Sequence, residues 1–98
     1  MGGKHFFVYM MASKRNGTIY IGVTANLPTR ICIHREDLVD GFTRRYGVHR
    51  LVWYEWLELA EPAIRREKQL KKWNRAWKIR LIEEMNPQWD DLYPTLFA

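Results

Sequence analysis

The stretch from His5 to Thr24, HFFVYMMASKRNGTIYIGVT, constrains the fold more than any other part of the chain. HFFVYMMA is the apolar and aromatic composition of a strand, and SKRNG supplies turn residues, including the Asn16-Gly17 pair favoured in hairpins. TIYIGVT then returns as a second strand. Side chains alternate faces along a strand, so the pairing can be examined by parity. A two-residue turn on Asn16-Gly17 sets Arg15 opposite Thr18 and Tyr9 opposite Thr24. A wider loop pairs Met11 with Thr18 and Tyr9 with Tyr20. Both registers put Tyr9 and Tyr20 on one face. Two phenols there are either a cross-strand packing pair or part of a reactive site.

Beyond the hairpin, Asn26 is an N-cap and Pro28 suits the first turn of a helix running to about Val39, with Gly41 near its stop. DGFTRRYG reads as a basic loop, and His49 to Glu58 as a third strand. Pro62 opens a helical stretch that continues to Met85 with a break near Asn74. The tail NPQWDDLYP is irregular, its aromatics returning to the core. The order β-β-α-β-α-α makes residues 1–98 one α+β domain, a small, largely antiparallel sheet with helices packed on it. Hydrophobic residues at 47%, with five tryptophans, supply a core and argue against disorder. A formal charge of +5 points to an anionic partner, nucleic acid ahead of an acidic membrane surface. A single cysteine, Cys32, excludes an internal disulfide and fits a reducing cytosol. No apolar run approaches the roughly 18 residues of a membrane span, and MGGKH resembles neither a signal peptide nor a myristoylation site. A soluble cytoplasmic protein is expected.

Three elements turn polar groups toward an apolar interior. On the first helix Leu27, Ile31 and Leu38 form the buried stripe, His34 falls inside it, and Arg30 lies at its edge one turn earlier. A half-buried guanidinium needs an anion, supplied by an internal ion pair or a ligand, unless its stem snorkels to solvent. On the next long helical stretch Ala63, Ile64, Leu70 and Trp77 form the apolar stripe with Glu67 in its middle. Arg65, Lys68, Lys72 and Arg75 crowd the opposite face. A carboxylate on the inward side wants an arginine, a lysine or a metal ion. Two phenols, a guanidinium, an imidazole and a carboxylate exceed the needs of a small core and mark a candidate site.

Phe7-Val8-Tyr9 followed by Tyr20-Ile21-Gly22 resembles the paired motif of the GIY-YIG nucleases. Arg30, His34 and Glu67 follow in that family's order, and the likeness extends from about Phe6 to Asn86. It is nearest the small stand-alone bacterial members. The resemblance implies a central three-stranded antiparallel sheet flanked by helices. It also implies phosphodiester hydrolysis, usually of DNA, dependent on a divalent metal, Mg²⁺ or Mn²⁺. Relatives act in intron homing, excision repair, restriction and the cutting of branched DNA. Phe7 and Val8 depart from the family's Gly-Ile, while the tyrosine is retained. Asn86 resembles an asparagine that some members carry after the glutamate.

On this resemblance Glu67 is the metal ligand, Arg30 donates paired hydrogen bonds to phosphate, and Tyr9 is the general base. A phenol is mostly protonated at neutral pH. Arg30 and the metal must therefore favour its phenolate, or His34 must relay the proton. Tyr20 orients the water or the phosphate. Arg44, Arg45, Lys71, Lys72 and Arg75 are expected along the DNA path, assisted by Thr43 and Tyr46. No separate sequence reader is visible, so specificity is expected from nucleic-acid shape, a partner protein or a homodimer. The alternatives are a non-catalytic DNA-docking module of the same fold, or a protein adaptor using aromatics such as Trp53 and Trp56.

Overall fold

The computed structural model describes residues 5–36 and 41–97. Strand β1 (Phe6–Ala12) pairs antiparallel with β2 (Ile19–Thr24) on one side and β3 (Arg50–Leu57) on the other, giving the order β2-β1-β3. The central position explains the unbroken apolar run of β1, because helices or tail segments cover both of its faces. Val8, Met10 and Ala12 belong to one core, and Tyr9 and Met11 to the other.

The first core packs against α3 (Ala60–Lys72) and α4 (Arg75–Met85) through Ala63, Leu70 and Ile82. The second packs against α1 (Leu27–Arg35) through Leu27 and Ile31. Asn26 caps α1 by accepting from the Thr29 amide at 3.2 Å, with Pro28 in the first turn as expected. The helix ends at Arg35, earlier than the expected Val39; Leu38 and Val39 lie outside the described residues. The break near Asn74 is present. Asn74 accepts from the Trp77 amide at 2.9 Å and starts α4 in a new direction. Ile64 and Trp77 are exposed rather than part of the buried stripe, because the α3 stripe is narrow and Trp77 lies beyond the break. Arg65, Lys68, Lys72 and Arg75 are exposed as expected.

Neither expected hairpin register is the observed one. The turn centres one residue earlier, on Arg15-Asn16, with the Gly17 amide donating to the Lys14 carbonyl at 2.9 Å. Asn16 takes the left-handed conformation (φ 59°), which asparagine tolerates better than most residues. Gly17 is required for space: a Cβ there would lie 2.3 Å from Ser13 Oγ. Tyr9 consequently stands opposite Gly22, and Met11 opposite Tyr20. The shift of register preserves parity, so both phenols still share a face.

DGFTRRYG also differs from the loop expected: Phe42–Arg45 form a single helical turn, α2. Strand β3 carries a bulge at Val52, which puts Val52 and Trp53 into the same core. Trp53 is therefore buried, while Trp56 is half exposed and donates to His5 Nδ1 at 2.9 Å. The tail returns as expected. Trp89 is fully buried despite a φ of 58°, held by Arg50 on its carbonyl and by its own indole N–H on Glu83. A 3-10 turn at Tyr93–Phe97 follows, and Leu92, Tyr93 and Leu96 pack on the α1 side. Among the described residues no helix is long and apolar enough to cross a membrane.

Candidate active site

Tyr9 projects from the central strand toward α1 with no exposed surface. Its ring can lie there because its cross-strand partner is a glycine. A Cβ on Gly22 would come within 2.4 Å of the Tyr9 hydroxyl. Tyr20 stands two residues from Gly22 on the same face, its ring centroid 6.2 Å from that of Tyr9. His34 closes the group from the buried stripe of α1. Its ring centroid lies 5.3 Å from Tyr20, and its Nε2 lies 3.1 Å from the Tyr9 hydroxyl.

The other ring nitrogen, Nδ1, lies 3.0 Å from Thr43 Oγ1 on α2. Both nitrogens are thus engaged, and the environment disfavours the charged ring. Burial lowers the His34 pKa below its ordinary value, and the charges of Arg30 and His49 lower it further. A neutral imidazole has one donor and one acceptor nitrogen. When Tyr9 donates to Nε2, the ring proton sits on Nδ1 and is donated to Thr43.

Tyr9 is pushed well above the usual phenol range, chiefly by burial and then by the neighbouring Tyr20 phenol; Arg30 opposes the shift and Glu67 adds to it. Arg30 does favour the phenolate, but desolvation outweighs it. Arg30 is an exposed residue of α1, yet its charge bears on both Tyr9 and His34. Glu67 approaches from α3, its side chain only 16% exposed, and meets Lys71 Nζ at 3.3 Å one turn along. Tyr20, Arg30, His34 and Glu67, all picked out in the sequence, thus each bear on the buried Tyr9 phenol.

A groove along edge strand β2 shares Tyr20 with this cluster. Ile19, Tyr20 and Ile21 form its floor, with Phe42, Lys71 and Lys78 around it. Tyr20 lines the groove, whereas Tyr9 is fully buried. Of the expected phosphate contacts, Lys71 borders this groove, and Arg44 and Arg45 sit on exposed α2 beside a second hollow with Phe42 and Tyr46. Lys72 is exposed at the end of α3. Arg75 is engaged structurally. It donates to the carbonyls of Asn16 and Gly17 at 2.6 and 2.7 Å, tying α4 to the hairpin turn.

Thr43 is buried against His34 rather than presented at the surface. Asn86 is likewise buried. Its side-chain amide donates to the carbonyls of Val52 and Asp90 at 3.1 and 2.8 Å, anchoring the end of α4 to the β3 bulge and the tail. Phe42 and Lys78 were not picked out from the sequence. Neither carries a periodicity signal, and only the tertiary arrangement brings them to the groove.

Among the described residues no three His, Cys, Asp or Glu side chains cluster as a preformed metal cage. A mostly buried carboxylate whose partner is one flexible lysine nevertheless fits an ion of the Mg²⁺ type. Such ions take one or two carboxylates and complete their shell with water and substrate phosphate.

Similarity to known proteins identifies the family of the chain. The family model described as the GIY-YIG catalytic domain matches residues 5–80. A UPF0213 protein of Staphylococcus haemolyticus is 33% identical over 81 residues, covering 83% of this chain and 96% of its own. One from Clostridium perfringens is 36% identical over 76 residues, covering 78% and 81%. The solution NMR structure of a UPF0213 protein from Bacillus halodurans superposes with a TM-score of 0.56 at 26% identity, covering 89% of this chain and 92% of that one. With a family model matched over residues 5–80 and relatives above 30% identity over most of both chains, the chain belongs to the GIY-YIG catalytic-domain family.

Proposed function

We propose that the domain is an endonuclease that hydrolyses phosphodiester bonds, of DNA in the first instance, with a divalent ion held by Glu67. The observation that carries this reading is the Tyr9 to His34 hydrogen bond, with Arg30 and Glu67 acting on the same phenol. Tyr20, the phenol on the groove, orients the attacking water. The proton lost by that water passes to the Tyr9 hydroxyl while the Tyr9 proton moves to Nε2 of His34. His34, neutral at rest, can accept it, and Thr43 holds the ring in place.

This relay answers the objection that a buried phenol is a poor base, because no free phenolate has to accumulate. Arg30 donates to the phosphate oxygens that gain charge in the transition state. A Mg²⁺ or Mn²⁺ ion at Glu67 would supply charge stabilisation to the phosphate and the leaving oxygen. Lys71 then yields the carboxylate and faces the phosphate backbone, with Arg44, Arg45 and Lys72 extending the basic path. A single site of this kind cuts one strand at a time.

Incubation with linear, nicked and branched DNA, with and without Mg²⁺ or Mn²⁺, tests the reading. Cutting is expected only with metal, and Glu67→Ala should abolish it. Salt-sensitive binding with no cutting by the unaltered protein would instead identify a docking module.

A further inference from the structure

Three aromatic rings step outward from the buried site. The Tyr20 and Phe42 centroids are 6.0 Å apart, and those of Phe42 and Tyr46 are 4.8 Å apart. Phe42 and Tyr46 are 45% and 48% exposed, so both large rings at α2 stand largely outside the core. The same short helix buries Thr43 against His34, which fixes the exposed rings relative to the catalytic cluster.

Cations frame the rings. The Arg45 guanidinium lies 5.6 Å from the Tyr46 ring centroid, and Lys71 and Lys78 border the groove that Phe42 shares with Tyr20. Flat apolar faces among positive charges match a nucleotide, whose base is planar and whose phosphate is anionic. Bases in an intact duplex already stack on their neighbours and offer no free face. Unpaired bases do, and exposed aromatic side chains are the usual platforms for them.

We infer that Phe42 and Tyr46 form a stacking shelf for an unpaired base beside the scissile phosphate, so that the substrate is single-stranded or locally unpaired nucleic acid. The inference rests on the nuclease reading for the position of that phosphate, but base capture by the shelf does not require cleavage.

Binding measured in EDTA separates the two. Fluorescence anisotropy would compare a labelled single-stranded DNA, the same sequence as single-stranded RNA, a perfect duplex, and a duplex with one bulged 2-aminopurine. The protein should bind the single strands and the bulged duplex more tightly than the perfect duplex, and the 2-aminopurine should be quenched. Phe42→Leu combined with Tyr46→Leu should weaken unpaired substrates by about tenfold or more, change duplex binding less than about twofold, and leave the circular dichroism spectrum unaltered. Tighter binding of the DNA or the RNA single strand would identify the natural source of the base. Equal losses on paired and unpaired substrates, no loss on either, unquenched 2-aminopurine, or no binding to any of the four would overturn the shelf. A protein that cuts nothing yet shows this pattern would retain the shelf and lose the nuclease reading.

Discussion

Gly22 shows how one absent side chain can place a reactive group. The Tyr9 hydroxyl occupies the volume that a Cβ at position 22 would need. Gly22→Ala should push the phenol away from His34, lowering turnover by about a hundredfold, since misplacement of about 1 Å can have that effect. The accompanying loss of stability should be about 1–3 kcal/mol from overpacking. Single-turnover cleavage beside a denaturant titration would read both. His34 gives a pH signature. Its folded-state pKa is lowered, so below the ordinary value of 6.5 the unfolded chain binds more protons than the folded one. Its contribution to stability is therefore present above pH 6.5 and declines as the pH falls toward the lowered value. Thermal melts between pH 7 and 5 should show this decline, and His34→Gln should flatten it. An identical slope in that variant would show that the decline arises elsewhere. The inward placement of Tyr9, His34 and Glu67 was legible in the sequence, because each is a polar residue at an apolar phase of its element, whereas Arg30, expected half-buried at the edge of the α1 stripe, is exposed. The role of Thr43 was not legible, because its partner lies nine residues away across a turn whose geometry the residue types do not specify.

At the scale of elements, the strands and the long helices followed from periodicity and caps, while the joins between them did not. The hairpin turn slid by one residue from Asn-Gly to Arg15-Asn16 because Gly17 was needed for close packing against Ser13. The basic stretch after Gly41 folds as a helical turn because Thr43 finds a buried partner in His34, a gain no local propensity records. Asn86 belongs to this scale as well. Its amide satisfies the carbonyl at the β3 bulge and brackets the Asp90 backbone, accepting from the Asp90 amide at 3.0 Å. Asn86→Ala would leave these groups unpaired and should destabilise the fold by about 1–3 kcal/mol. Since Asn86 does not line the groove, cleavage at a temperature where the variant is folded should stay within about twofold of the unaltered protein. Loss of activity without loss of stability would move Asn86 into the site.

For the whole molecule, the candidate site borders β2, one of the two edge strands of the sheet. Tyr9, Tyr20 and His34 belong to the α1 side, whereas Glu67, Lys71 and Lys78 come from α3 and α4. The edge strand β2 lies between the two groups, so one three-stranded sheet brings them near each other. The cleavage rate of Tyr9→Phe, taken with metal on a substrate the unaltered protein cuts, tests the proposed chemistry most directly. The substitution removes one oxygen from a fully buried ring and should leave the melting transition close to its original temperature. The rate should fall by about 10²–10³-fold, within the range for lost general acid–base catalysis. A folded Tyr9→Phe protein that cuts at the original rate would contradict the proposed chemistry.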